Sequence, residues 1–150
     1  MADRPDPSPE PLPVGWKEHV AFPEWGVRRV RAKVDTGART SALGVGGYEL
    51  WEDAGRGTMV RLRLALSRKH PERQKVVEAP VLRTVVVRNS AGVPERRPVI
   101  EALARLGPVE KRILLTLTYR PAMRFRLILG RQALAGDFIV DVSKKYLLKT

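Results

Sequence analysis

Cysteine is absent from this 150-residue chain, and with it go disulfides, thiolate metal sites and cysteine nucleophiles. Histidine is scarce: His19 and His70 are the only two. A catalytic zinc usually takes three protein ligands, and no H-E-x-x-H run is present to start one, so no metal site is expected. There is also no Gly-x-x-x-x-Gly-Lys-Ser/Thr loop to cradle a nucleotide phosphate; Gly55-Arg56-Gly57 is a short basic turn. No run approaches the roughly 18 apolar residues of a membrane span, and Met1–Pro13 lacks the apolar stretch of a secretory signal. The expectation is a soluble, cytoplasmic protein with no membrane partner. Aromatics make up 6%, and no aromatic-rich strand resembles a platform on which bases stack.

Acidic residues are also in short supply: 16 Asp and Glu face 28 Lys and Arg, a net charge of +12. The imbalance is uneven. Up to Trp25 the acids (Asp3, Asp6, Glu10, Glu18, Glu24) outnumber the bases (Arg4, Lys17), whereas Arg56 to Arg131 carries 18 bases and 5 acids. Such a field attracts polyanions, either nucleic acid or acidic polypeptide. Taken alone it equally describes a well-solvated basic surface.

Prolines at positions 5, 7, 9, 11 and 13 fix φ and remove backbone donors, so residues 1–13 read as an extended, disordered tail and residues 14–150 as one folded domain. Within the domain the apolar period is two. Val60, Leu62, Leu64 and Leu66 alternate with Arg61, Arg63 and Ala65, and Met123, Phe125 and Leu127 alternate with Arg124 and Arg126. Both runs predict strands with one buried and one wet face. Further strands are predicted at Val27–Val34, Val81–Arg88, Pro98–Ala104, Ile113–Thr118 and Phe138–Val140, separated by turns at Ala54–Gly57, Asn89–Gly92 and Leu106–Pro108. A short helix over Arg131–Leu134 should stop at Gly136. Many short strands with frequent turns indicate an all-β sandwich or closed barrel.

The sharpest local signal is Lys33-Val34-Asp35-Thr36-Gly37-Ala38-Arg39-Thr40-Ser41. A β-rich approach delivers an aspartate to a strand end, a small hydroxyl residue bonds locally, and a glycine lets backbone come close to the carboxylate. Three residues recur by chance and usually mark an ordinary turn, so the tripeptide alone is weak. Downstream, Leu127-Ile128-Leu129-Gly130-Arg131 is an apolar run ending in glycine before the short helix.

Asp-Thr-Gly-Ala, a central hairpin over Val85–Ala104 and an apolar-apolar-Gly-Arg element, in that order, resemble the aspartic peptidases of the retroviral type. A closer resemblance, from about Trp16 to Leu148, is to the small bacterial retropepsin-like family long labelled "ATP-dependent zinc protease", whose members are associated with ligases of the RimK type that add glutamates to a ribosomal protein. The matching stretches are Lys33–Leu43, Glu95-Arg96-Arg97-Pro98-Val99-Ile100, Leu117-Thr118-Tyr119-Arg120-Pro121-Ala122-Met123, Leu129-Gly130-Arg131 and Gly136-Asp137-Phe138-Ile139-Val140-Asp141. Gly44 stands where the family usually has histidine, and Tyr119 where it usually has Asp or Asn; both bear on substrate preference.

The resemblance implies a retropepsin-like, acid-protease fold with one short helix after Leu-Gly-Arg, and catalysis by Asp35 with Thr36 and Gly37. Such peptidases need two carboxylates sharing one proton, one acting as base toward water and the other as acid toward the substrate carbonyl. The chain holds a single Asp-Thr-Gly, so the dyad implies a homodimer with one Asp35 per subunit. No cofactor is required; ATP dependence would belong to a partner. Thr36 would brace the two loops, while Ser90 and Gly92 would lie at or near a flap tip. Ala38, Arg39, Arg96, Arg97, Arg120 and Arg131 would line the substrate site, favouring an acidic peptide or glutamate-tailed protein. Some of these arginines are expected instead to pair with Asp137, Asp141 or Glu95, and of the five Arg120 and Arg131 are expected to be the structural ones. A rival reading keeps the fold without catalysis, as a basic binding module for acidic tails or RNA, with RNA placed second by the sparse aromatics.

Overall fold

In the computed structural model the described residues are 10–67, 69–70, 72–89, 91–120 and 124–148. Strands dominate them, as the period of two requires. The first strand, β1 (Leu12–Val14), pairs in parallel with the last, β12 (Phe138–Val140). Leu12 and Pro13, which the alternating prolines assign to the tail, are therefore part of this ladder.

Six strands close a barrel: β2 (Lys17–Phe22), β3 (Val27–Val34), β4 (Ser41–Val45), β9 (Pro94–Leu106), β10 (Val109–Tyr119) and β11 (Leu127–Leu129). The circuit runs β10–β4–β11–β3–β2–β9 and returns to β10, while β8 (Arg83–Arg88) extends it on the far side of β9. A three-stranded sheet of β5 (Tyr48–Asp53), β6 (Gly57–Ala65) and β7 (Gln74–Pro80) packs beside it. Val60, Leu62 and Leu64 from β6 share one core with Phe22, Leu43, Ile100, Leu115 and Leu127 of the barrel. Each such side chain contributes about 1.5–3 kcal/mol on burial, enough to bind the small sheet to the barrel as one folding unit.

The alternation is easiest to see in β3. Val30, Ala32 and Val34 are buried, and Arg29, Arg31 and Lys33 face solvent. The closed circuit leaves few free sheet edges, and Arg-bearing outer faces discourage edge pairing. The helix α1 spans Arg131–Leu134, as expected, and the chain turns away through Gly136.

One expected strand is corrected. Met123 lies outside the described residues, and Arg124–Arg126 form bends; regular pairing begins only at Leu127. The Phe125 ring packs edge-on to Trp16 at 6.2 Å and sits beside the guanidinium groups of Arg31 and Arg124. The alternation there reports this loop packing and not a ladder.

Candidate active site

Asp35 follows β3 directly, and the order of strands explains its placement. β11 lies between β3 and β4, parallel to the first and antiparallel to the second. The two connected strands β3 and β4 are thus separated by a third inserted from the far end of the sequence. The loop joining them, residues 35–40, must wrap the C-terminal end of β11.

Backbone hydrogen bonds fix that wrap. Asp35 N–H donates to Leu129 O at 2.9 Å, Arg131 N–H to Ala38 O at 2.8 Å and Gln132 N–H to Arg39 O at 3.0 Å. Gly130 N–H donates to the buried Ser41 hydroxyl at 3.0 Å, and the Arg131 guanidinium donates to Thr36 O at 3.0 Å. The Asp35 Oδ1 in turn accepts the Gly37 N–H at 2.9 Å. That bond aims the carboxylate, and a Cβ at Gly37 would come within 3.1 Å of the same oxygen, tight enough to push the carboxylate aside by a few tenths of an ångström.

Gly130 is required by close approach. A Cβ at this position would lie 2.7 Å from both C and O of Thr40 and 2.9 Å from Ala38 O, all backbone atoms that cannot swing aside. Gly130→Ala is therefore expected to destabilise the protein by about 1–3 kcal/mol, the range of overpacking, and to displace the Asp35 loop. Urea unfolding checks the first effect. A variant as stable as wild type would show that the loop yields freely.

Asp35, Thr36 and Gly37 are exposed on the isolated chain. The two other C-terminal carboxylates are engaged elsewhere. Asp137 takes the Lys111 ammonium at 2.5 Å, and Asp141 accepts the hydroxyl and N–H of Ser143 at 2.6 and 3.0 Å. These serine bonds hold the Asp141 carboxyl below its ordinary value. Asp137 is thus paired with a lysine and Asp141 with a serine, where arginine partners were expected.

The arginines divide in an unexpected way. Arg131 has the expected structural role, but its partner is the Thr36 carbonyl instead of an acid. Arg97 is 7% exposed and lies against Glu95: its Nη2 donates to Oε2 at 3.4 Å, while Nε is 3.3 Å from Oε1 but outside hydrogen-bond geometry. Arg39 and Arg96 are exposed, and Arg120 is half-buried. Ala38 is half-buried in the Asp35 loop.

Glu95 also accepts the Thr118 hydroxyl at 2.9 Å. Burial, the largest influence, pushes its carboxyl up; the Thr118 and Arg97 hydrogen bonds and the charges of Arg97 and Arg120 outweigh it, and the group sits below its usual 4.5. A depressed carboxyl contributes stability that is present above the ordinary value and is lost as pH falls through the lower folded value. Thr118→Val is expected to raise the Glu95 titration and start the acid loss of stability at higher pH. Side-chain NMR titration checks this, and an unmoved Glu95 would discount the hydroxyl.

The hairpin joining β8 and β9 matches the expected turn. Ser90 lies outside the described residues. Gly92 (φ +77) occupies a left-handed position suited to glycine, and the Asn89 side chain accepts the Ala91 and Val93 N–H groups, each at 3.0 Å. Gly44 is buried in β4, donating its N–H to Arg126 O at 2.7 Å, and Tyr119 is 61% exposed at the end of β10. Among the described residues no three His, Cys, Asp or Glu side chains gather as a metal site would need, and no helix is long and apolar enough to cross a membrane. Glu95 pairs with one of the candidate arginines, as expected, and that arginine is Arg97. The sequence reading missed the role of Ser41, although it lies inside a matched motif; a hydroxyl six residues after the aspartate was the available signal.

Cleft size does not mark the site. A cleft of about 910 Å³ lined by Arg28, Arg29 and Arg105 lies at the start of β3, the end remote from Asp35. A smaller one of about 330 Å³ lies along the outer face of β3. Asp35 lines neither.

A family model described as "RimB-like: Retropepsin-like aspartic endopeptidase RimB" matches residues 13–150. A probable alpha-L-glutamate ligase of Desulfotalea psychrophila is 34% identical over 133 residues, covering 85% of this chain and 27% of that protein. One of Shewanella pealeana is 33% identical over 140 residues (90% and 29%), and one of Parasynechococcus marenigrum is 37% identical over 134 residues (85% and 27%). The chain thus spans under a third of the length of these relatives. The crystal structure of a Legionella pneumophila protein of unknown function matches with a TM-score of 0.75 at 22% identity, covering 92% of this chain and 98% of that one, a likeness of fold.

Proposed function

The chain belongs to the RimB-like family of retropepsin-like aspartic endopeptidases, and from that premise we propose that it is itself an aspartic peptidase, active as a homodimer with one Asp35 per subunit. The observation that carries the reading is the Asp35 loop: an exposed carboxylate with Oδ1 held by the Gly37 N–H, in a turn clasped on its inner side by Gly130–Gln132. A rigid scaffold under an open carboxylate suits a group that must meet a second copy of itself. With Asp137 and Asp141 engaged elsewhere, a second subunit is the simplest source of the partner carboxylate.

In the proposed dimer, two like charges a few ångströms apart share one proton. The ionised member takes a proton from water as that water attacks the peptide carbonyl carbon, and the protonated member gives its proton to the carbonyl oxygen as that carbon becomes tetrahedral. The gem-diol then collapses, one hydroxyl returning its proton to one carboxylate while the C–N bond breaks and the amine leaves with the proton of the other. Thr36, whose carbonyl is held by Arg131, would brace the two loops across the axis. The pair would titrate as a unit with a bell-shaped profile.

The proposed substrate is a glutamate-rich chain. The net charge of +12 and the exposed Arg39 and Arg96 support it, and so does the company of this domain in relatives named as glutamate ligases. Bidentate guanidinium–carboxylate contacts would set the preference. The test is incubation with an oligoglutamate-tailed peptide and a neutral-tailed one, with and without chelator, from pH 4 to 8. Shortening of the acidic tail, indifferent to chelator, is expected. Equal cleavage of both tails would remove the acidic preference. Binding of the acidic peptide without cleavage at any pH would replace the peptidase with a binding module of the same fold.

A further inference from the structure

We propose that the cleft on the outer face of β3 is a second, non-catalytic site that holds acidic polypeptide segments. Arg29, Arg31, Lys69, Arg124, Arg126 and His19 line it, and no Asp or Glu does so among the described residues. Arg29 and Arg31 are alternate residues of one strand and face the same side, about 6.6 Å apart along it. Carboxylates on alternate residues of an extended peptide repeat at the same interval, so a strand-like acidic segment meets both forks in register.

Arg31 and Arg124 are held ready for such contacts. Their guanidinium groups lie over the Phe125 ring at 5.5 and 5.8 Å, a contact that restricts each side chain before any ligand arrives. The same packing argues against nucleic acid. Phe125 is occupied by the two arginines and its T-shaped contact with Trp16, and His19 is stacked on Tyr146 at 4.4 Å, so these rings are already engaged and poorly placed to stack bases. The positive groups of the cleft also act on one another. Partial burial first, then the charges of Arg29 and Arg31, hold the His19 imidazole below its ordinary 6.5, with Lys17 adding to them and only Glu18 opposing.

Position gives the cleft its use. Arg31 precedes Asp35 by four residues, about 13 Å along the strand, with exposed Lys33 between them. An extended chain covers that span in about four residues, so a segment seated on Arg29 and Arg31 can reach the Asp35 loop. The cleft would favour tails several residues longer than the cleaved segment. The ligand assignment rests on the acidic-substrate reading above, and the experiment separates the two.

Binding is measured by fluorescence anisotropy of a labelled ten-residue oligoglutamate on the full chain carrying Asp35→Asn, so the result does not depend on turnover. Adding Arg29→Ser and Arg31→Ser together is expected to weaken binding at least tenfold, and Arg124→Ser to weaken it several-fold, while Arg28→Ser on the neighbouring face leaves it unchanged. The His19 titration should move up when oligoglutamate is bound. In the catalytically intact chain, the double change should raise KM for ten-residue tails much more than for four-residue tails, with kcat preserved. Equal affinity in the double variant, or a loss just as large in Arg28→Ser, overturns the proposal. So does a ten-nucleotide single-stranded RNA that binds more tightly at the same salt through the same arginines. Loss of cleavage in every form, with the binding pattern intact, would sink the peptidase reading and leave this site standing.

Discussion

Asp35→Asn is expected to lower kcat/KM on an acidic-tailed peptide by on the order of 10³-fold or more, with the fold intact. General acid–base participation is worth about 10²–10⁴ in rate, and in the proposed dimer one substitution removes the group from both halves of the pair. Stability should change little, within about 0.5–1 kcal/mol, because the side chain is exposed and the asparagine carbonyl can still accept the Gly37 N–H. Mixing gives a sharper form of the test. When wild type and variant exchange freely in equal amounts, a site built from two copies retains about a quarter of the activity, whereas independent subunits retain about half. Linear dilution would remove the shared dyad, and residual activity within tenfold of wild type would remove Asp35 from the chemistry.

Glu18→Ala is expected to be the most destabilising single change considered, at about 3–5 kcal/mol. Glu18 is fully buried, and its carboxylate accepts three backbone N–H groups: Gly15 at 2.7 Å and Leu147 at 2.9 Å on one oxygen, Leu148 at 3.1 Å on the other. Removal leaves all three without an acceptor, and an orphaned buried donor costs roughly 1–3 kcal/mol. For a chain of this length the melting temperature should fall by roughly 10 °C or more.

Glu18→Gln should be milder, about 1–2 kcal/mol, since one amide oxygen still accepts while the NH₂ faces a donor. The loss should be felt at the candidate site as well. Trp16, two residues before Glu18, accepts the Val34 N–H at 2.8 Å on the strand that delivers Asp35. Calorimetry on the two variants checks the ranking. An alanine variant no less stable than the glutamine one would mean that water replaces the carboxylate at little cost.

Much of the fold was legible because its elements announce themselves locally. Val27–Val34 and Phe138–Val140 form strands with the expected bounds, and Arg131–Leu134 forms the helix, because period-two burial and a glycine stop are short-range properties. The failures come from contacts distant in sequence. Phe125 alternates as a strand residue would, yet serves a loop packed on Trp16 and two arginines. Arg97 sits in a run of exposed-looking charges, yet is buried on a Glu95 whose carboxylate is held by the Thr118 hydroxyl from the neighbouring strand. Glu18 counts in the sequence as one more acid of an acidic N-terminal stretch. Only the return of residues 147 and 148 to its side makes it a buried acceptor.

The sequence by itself determined the all-β class, the strands with one wet, arginine-bearing face, the helix stop and Asp35 with the glycine two residues after it. Each rests on side-chain period or backbone permissiveness within a few residues. Tertiary structure decided which strands close the barrel, and that β11 enters between β3 and β4 so that Gly130 and Arg131 grip the Asp35 loop. It also decided which charges are buried and which gather into a cleft. These depend on pairing between segments up to 130 residues apart, where loop closure and the desolvation of each polar group select one arrangement from many that local pattern permits equally.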